Sequence, residues 1–285
     1  MNKKIILITG ANSGIGKETA MTLAKEGHTV IIHGRNIEKT KKVCEEIKNV
    51  SHNQNIDMVC ADLSIMSNIP KIVAELESRY NSLDVLINNA GGQYGNTREV
   101  TSEGHEKTMA INVLAPFLLT KLLLPMLQKS KSARVVTVSS ASYSVGKFDA
   151  KDIELNDGYS LTRSYGLSKR YVYWIMQKFA QSGIDGVTFN TVEPGSADSD
   201  LGRVSRNGKL ANLVYYLWKP MMWSMDRAAA TSIYMAVSDN LEGVSGRFYG
   251  NLKEKNIKSK FRIQSEIDEV WNYCNKICKD FLASC

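Results

Sequence analysis

Along this chain, short apolar runs alternate with stretches of helical periodicity, and that alternation admits few folds. Residues 4–9, 29–33, 56–60, 84–87 and 134–139 are nearly continuous apolar runs of strand length. Strands covered on both faces require such runs, because neither face can be polar. Helical patterns lie between them, near 15–26, 37–48, 67–80 and 103–128. A further helix near 163–182 leads to a strand over 187–192, and a helix near 226–238 precedes a last strand over 246–249. Parallel strands cannot be joined by tight hairpins and need crossover connections, which these helices supply. The prediction is an α/β fold, a doubly wound parallel sheet with helices on both faces. No repeat, low-complexity linker or composition break divides residues 1–285, so a single domain is expected.

Charge and cysteine usage narrow the function classes. The formal net charge is +7, but the basic residues are dispersed apart from Lys253, Lys255, Lys258, Lys260 and Arg262. That run contains Glu254 and reads as a solvated connection, so no nucleic-acid partner is expected. The five cysteines show no zinc-like double pair, and no metal is expected; Cys274 and Cys278 would share one face of a helix. Residues 1–4 run directly into an apolar strand without a hydrophobic leader, which predicts a cytoplasmic protein.

The first strand ends in Thr9-Gly10-Ala11-Asn12-Ser13-Gly14-Ile15-Gly16, and a helix follows. Glycines let the backbone turn tightly and approach a pyrophosphate, while the helix N-terminus offers unpaired N–H groups and a positive dipole end. Between the first strand and first helix of an alternating chain, this pattern predicts a Rossmann-type dinucleotide site. Gly10, Asn12, Ser13, Gly14, Ile15 and Gly16 are its candidate cofactor contacts. The second strand ends in His33-Gly34-Arg35-Asn36, with no carboxylate to accept hydrogen bonds from a ribose 2′-hydroxyl. Arg35 there, with Asn36 beside it and Lys17 just after the turn, suits a 2′-phosphate instead. NADP(H) is therefore the expected cofactor. Asp62, followed by Leu63, is placed after the third strand to meet the adenine; Asn88, Asn89, Ala90 and Gly91 follow the fourth and would brace the sheet beside the cofactor.

Four Tyr-x-x-x-Lys pairs occur: Tyr143/Lys147, Tyr165/Lys169, Tyr215/Lys219 and Tyr249/Lys253. Only Tyr165 and Lys169 begin a long helical pattern that leads into a strand, where their spacing places both side chains on one face. The glycine turn, Asp62, Asn88–Gly91, Asn112, Ser139-Ser140, Tyr165/Lys169 and Pro194-Gly195 stand in the order found in the short-chain dehydrogenase/reductase family. The chain resembles that family over almost its whole length. Residues 241–248, a tryptophan-bearing C-terminal helix and the long segment between Ser140 and Tyr165 resemble the branch with retinol dehydrogenases and WW-domain oxidoreductases.

The resemblance implies hydride transfer between a nicotinamide and a small-molecule carbonyl or alcohol. Tyr165 would be the acid/base and Ser140, rather than its neighbour Ser139, would bond the substrate oxygen. Lys169 would also hold the nicotinamide ribose, and Asn112 would link that lysine to solvent; the other reading of Asn112 is a helix kink before Pro116. A free tyrosine titrates near 10, so Lys169 and an oxidised nicotinamide are expected to lower Tyr165. Pro194 and Gly195 would pass the nicotinamide, and Ser199 stands where the family commonly has a cofactor-contacting threonine, here flanked by Asp198 and Asp200. Residues 196–225, rich in Leu, Tyr, Trp and Met, read as a substrate cover; membrane or subunit contact stays open. The apolar stretch 210–223 within them is too short, and too interrupted by Lys219 and Pro220, to span a bilayer, and no transmembrane segment is expected. The resemblance also implies a homo-oligomer. The alternative function is a catalytically silent NADP(H)-binding regulator on the same fold.

Overall fold

The computed structural model describes residues 3–195 and 223–283. Its strands are β1 (Ile5–Ile8), β2 (Thr29–Gly34), β3 (Ile56–Cys60), β4 (Val85–Asn88), β5 (Ala133–Val138), β6 (Val187–Glu193), β7 (Phe248–Gly250) and β8 (Lys253–Glu254). They form one sheet in the order β3-β2-β1-β4-β5-β6-β7-β8. Every pair is parallel except β7 with β8. The helices are α1 (Gly14–Lys25), α2 (Ile37–Ser51), α3 (Ile69–Arg79), α4 (Lys107–Gln128), α5 (Leu161–Gln181), α6 (Met225–Val237) and α7 (Gln264–Ala283).

Strand β8 was not expected. It returns antiparallel from β7 through Asn251 and Leu252, both left-handed at φ 52° and 62°. Two successive positive φ angles fit the twist of a tight hairpin, but a leucine in the second position is not the usual signal for one. The hairpin takes the start of the basic run; Lys253, Lys255, Lys258, Lys260 and Arg262 are all exposed.

Alternation along each strand sorts the core into two layers. Leu7, Leu86, Val135 and Phe189 pack with Ile72 of α3, Phe117 of α4, Trp174 of α5 and Val270 of α7. Their neighbours Ile6, Ile8, Val85, Ile87 and Val136 face the other way, against Leu23 of α1, Ile47 of α2 and Ala236 of α6. Successive side chains of a strand point to opposite faces, so a continuous apolar run supplies both layers. Trp271 of α7 stands edge-on to Phe117 and Phe179, at 5.3 and 5.0 Å between ring centres. Cys274 and Cys278 do share a buried face of α7 and remain free thiols.

Helix α4 is long and apolar enough to cross a bilayer by length and composition alone, yet 83% of its apolar window is buried in the fold. That burial is the behaviour of a core helix. Its Ala110–Leu114 segment is a π-turn centred on Asn112, just ahead of Pro116. Such a turn displaces the backbone ladder and is a recognised source of a helix bend.

The strand order reverses between β1 and β4, whose neighbours lie on opposite sides. Connections leave in opposite directions at such a point, which opens a crevice at the C-terminal ends of the strands. The glycine turn and the Asn88–Gly91 loop both emerge there.

Candidate active site

Close packing of the two loops that leave β1 and β4 shapes the crevice floor. The Thr9 hydroxyl accepts the Asn89 and Ala90 N–H groups at 3.0 and 2.9 Å. The Asn89 amide donates to the Thr9 and Gly10 carbonyls at 2.8 and 3.2 Å. Gly10, at φ +64°, lies so near Ala90 that a Cβ would come within 2.9 Å of its Cα. A Cβ on Gly16 would meet the Asn89 amide and sit 2.5 Å from the Gly10 carbonyl oxygen. Asn88 points into the sheet instead, donating to the Thr120 and Thr137 hydroxyls at 3.1 and 3.2 Å.

Across this floor runs a cavity of about 480 Å³. It is bordered by Gly10, residues 12–16, Arg35, Asn36, Asp62, Leu63, Asn89, Ala90, Gly91, Tyr165, Lys169 and Pro194. The turn of α1 presents no acidic residue and its Ser13 N-cap makes no side-chain bond to the helix, leaving backbone donors open to an anion. Asn36 also caps α2, its Oδ1 accepting the Lys39 N–H at 2.8 Å. Asn12 donates to the Thr40 hydroxyl at 3.2 Å. Arg35 is 69% exposed and pairs loosely with Asp62, whose nearer carboxylate oxygen is 3.7 Å away. The other Asp62 oxygen accepts the Ser64 N–H and hydroxyl at 2.9 and 2.7 Å.

Lys17 does not stand beside Arg35. It pairs with Glu46 of α2 at 2.6 Å and borders no part of the cavity. One residue along a helix is a turn of about 100°, so Gly16 facing Asn89 sends Lys17 outward. Lys39, from the first turn of α2, borders the cavity in its place. Sequence reading also passed over His33 as a working residue. Its Nδ1 accepts the Gly10 N–H at 3.3 Å, which leaves Nε2 to donate to the Ala61 carbonyl at 3.1 Å. One ring thus ties the glycine turn to the ends of β2 and β3.

Burial holds His33 down at about 4, against the opposing bond to Ala61. An unfolded histidine titrates near 6.5, so above that pH both states are neutral and the full contribution to stability is present. As pH falls from 6.5 toward 4, only the unfolded chain gains the proton, and stability is lost. The expected loss from this residue is roughly 2 to 3 kcal/mol between pH 7 and 4.5. Urea midpoints measured across that range should fall less steeply in His33→Gln than in the wild type; parallel curves would exclude His33 as the source.

At the other end of the cavity stand Tyr165 and Lys169 of α5. Lys169 is 4% exposed, and its Nζ donates to the Val138 carbonyl at 2.9 Å. Burial draws its ammonium down to about 8. A Cβ on Gly91 would sit 3.1 Å from both that Nζ and the Asn112 Oδ1, so only glycine leaves the space in front of them open. The Lys169 Nζ is 5.6 Å from the Tyr165 ring centre. Contrary to expectation, Tyr165 without cofactor is not lowered: burial pushes its phenol up, and a hydrogen bond with Ser140 works against that rise. Lys169, itself desolvated and with its Nζ donating to the Val138 carbonyl, does not offset that rise.

The serines divide by what holds them. Ser139 borders the cavity, but its buried hydroxyl donates to the Lys169 carbonyl at 2.7 Å. Ser140, outside the lining, caps the short turn Ala141–Ser144: its hydroxyl accepts the Ser142 N–H at 3.2 Å and donates to the Ser142 hydroxyl at 3.3 Å, and it stands beside Tyr165. Asn112 does not border the cavity; its Oδ1 accepts the Gly92 N–H at 2.9 Å, and its amide donates to the Gly92 carbonyl and Ser168 hydroxyl at 3.0 and 2.9 Å. Gly195, also outside the lining, lies under the Trp223 ring, which a Cβ there would approach to 2.5 Å. Ser199 and most of the expected cover, with Tyr215 and Lys219, lie outside the described residues. Of the remaining Tyr-x-x-x-Lys pairs, Tyr143 packs on Phe248 and Phe261, and Tyr249 is buried against the α1, α2 and α6 layer.

The residues present fit a nicotinamide dinucleotide. One end of the groove offers open helix donors and cations, and the other an ammonium held behind the side-chain gap at Gly91. Comparison with known proteins agrees. A family model described as short chain dehydrogenase matches residues 4–209. Retinol dehydrogenase 12 of Mus musculus is 34% identical over 271 residues, covering 94% of this chain and 84% of its own length. Polyprenol dehydrogenase of Homo sapiens is 37% identical over 262 residues, covering 88% and 78%. A solved short chain dehydrogenase from Shigella flexneri, complexed with NADP, has a TM-score of 0.70 at 26% identity, covering 89% of this chain and 98% of its own.

Proposed function

Because the chain belongs to the short chain dehydrogenase family, we propose that it is an NADP(H)-dependent oxidoreductase that interconverts a carbonyl and an alcohol on an apolar small molecule, with Tyr165 as acid/base. The observation that carries this reading is the presence of Tyr165 and Lys169, with Ser140 beside Tyr165, at one end of a groove that begins at the glycine turn and Arg35. Retinol and polyprenol dehydrogenases among the relatives support an apolar substrate, as do the leucines, tyrosines and tryptophans of residues 210–223.

When bound, NADP(H) supplies or accepts the hydride. The raised phenol of Tyr165 is protonated at neutral pH and donates to the substrate oxygen during reduction. Ser140 donates a second hydrogen bond where charge develops on that oxygen. Lys169 would hold the nicotinamide ribose, and its ammonium stabilises the phenolate left as Tyr165 gives up its proton.

A panel of carbonyls and alcohols, run with NADP(H) and NAD(H) in parallel, tests the proposal. Turnover of an apolar member with NADPH favoured is the expected result. Cofactor binding without turnover across the panel would instead favour a silent regulator. In Arg35→Ala the NADPH Kd should rise about 10- to 100-fold while NADH changes little, since a charge-assisted bond to the 2′-phosphate is lost. Equal losses for both cofactors would assign Arg35 another role.

A further inference from the structure

Five residues beyond Tyr165, helix α5 carries a buried cation that the proposed chemistry does not use. Arg170 is 4% exposed. Its Nε donates to the Tyr143 carbonyl at 2.7 Å, and its Nη2 to the Gly146 and Val145 carbonyls at 2.8 and 3.2 Å. The guanidinium lies 4.7 Å from the Phe261 ring centre and 5.9 Å from that of Trp174. Among the described residues no carboxylate forms an ion pair with it. Burial lowers its affinity for the proton, so keeping the charge here is costly. An apolar side chain of similar length would fill the space without that cost. What only arginine provides is a planar fork that reaches several carbonyls in fixed directions.

Those carbonyls belong to one loop. Ser140 caps the turn Ala141–Ser144 at its start, and the acceptors of Arg170 stand at its end. The same loop presses on α5 at Gly166, next to Tyr165. A Cβ there would come within 2.7 Å of the Val145 Cβ and 2.9 Å of the Ser142 carbonyl oxygen. Gly166 therefore allows the approach, and the Arg170 fork holds it. We propose that Arg170 is a positioning residue that locks the Ser140 turn against α5 and so keeps the Ser140 hydroxyl beside Tyr165. This inference rests on the oxidoreductase reading for its catalytic consequence and on the geometry alone for the lock.

The test compares Arg170→Met, Arg170→Lys, Ser140→Ala and the Arg170→Met/Ser140→Ala double variant with the wild type. Hydrogen exchange of the 141–146 amides reads the lock without turnover. It should accelerate at least about 10-fold in Arg170→Met, and less in Arg170→Lys, which keeps charge but not the fork. On a substrate from the panel, kcat should fall about 30-fold in Arg170→Met, with the NADPH Kd within about twofold of wild type. In the double variant the Arg170 change should add almost nothing to the loss from Ser140→Ala, because both act through one hydroxyl. Unchanged loop exchange in Arg170→Met, or losses that multiply in the double variant, would overturn the proposal. Should Arg170→Met fail to fold, Arg170→Lys carries the same comparisons. A wild type inactive on every carbonyl sinks the functional reading, whereas the exchange result still decides the lock.

Discussion

Tyr165→Phe is expected to lower kcat about 10³-fold while leaving the NADPH Kd within about threefold of wild type. Positioned proton transfer contributes on the order of 10² to 10⁴ to a rate, and two of the polar groups around Tyr165 are already committed to backbone carbonyls. Ser139 is committed to the Lys169 carbonyl, and Lys169 to the Val138 carbonyl. The ring itself remains, so the wall it forms along the cofactor groove is preserved. Steady-state rates with saturating NADPH, beside a fluorescence titration of NADPH binding, separate the two effects. Retention of most of the activity would remove Tyr165 from the chemistry, and a matching loss of cofactor affinity would make it a binding residue.

Gly16→Ala should cripple cofactor binding rather than chemistry. The added methyl would meet the Asn89 amide and lie 2.5 Å from the Gly10 carbonyl oxygen, one a side chain and the other backbone. Asn89 can swing aside only by releasing the Thr9 and Gly10 carbonyls that it bridges. The turn must then open, and the N–H groups of α1 lose their aim at the phosphates. Losing one or two charge-assisted bonds costs about 3 kcal/mol, so the NADPH Kd should rise at least about 100-fold. Overpacking of a close contact should also lower stability by about 1 to 3 kcal/mol. Titration and urea denaturation read the two losses independently; an unaltered Kd would show that the turn does not carry the phosphates.

Most of the fold was legible because burial on both faces writes itself into local sequence. Strands β1 through β6 coincide with their apolar runs to within about a residue at each end. The glycine turn was readable for a similar reason, since a backbone in close approach excludes side chains whatever surrounds it. Strand β8 was not, because its turn uses Leu252 in a left-handed conformation that no composition rule favours.

Side-chain commitments followed a different logic. Ser139 and Ser140 are adjacent and chemically identical, yet a carbonyl on α5, thirty residues away, takes one hydroxyl and leaves the other beside Tyr165. Lys17 was expected at the ribose because it follows the turn, but Glu46 on α2 draws it outward while Lys39 reaches the groove. His33 had no role in the sequence reading and proved to be a buried strut between three strand ends.

The succession of strands and helices along the chain, the glycine turn and the Tyr165/Lys169 spacing follow from short-range rules of sterics and periodicity, and the chain alone settles them. The proton affinities of Tyr165, Lys169 and His33, and the partner each polar group keeps, depend on what distant segments bring beside them. Desolvation and hydrogen bonding are set by the packed surroundings, and only the tertiary structure assembles those.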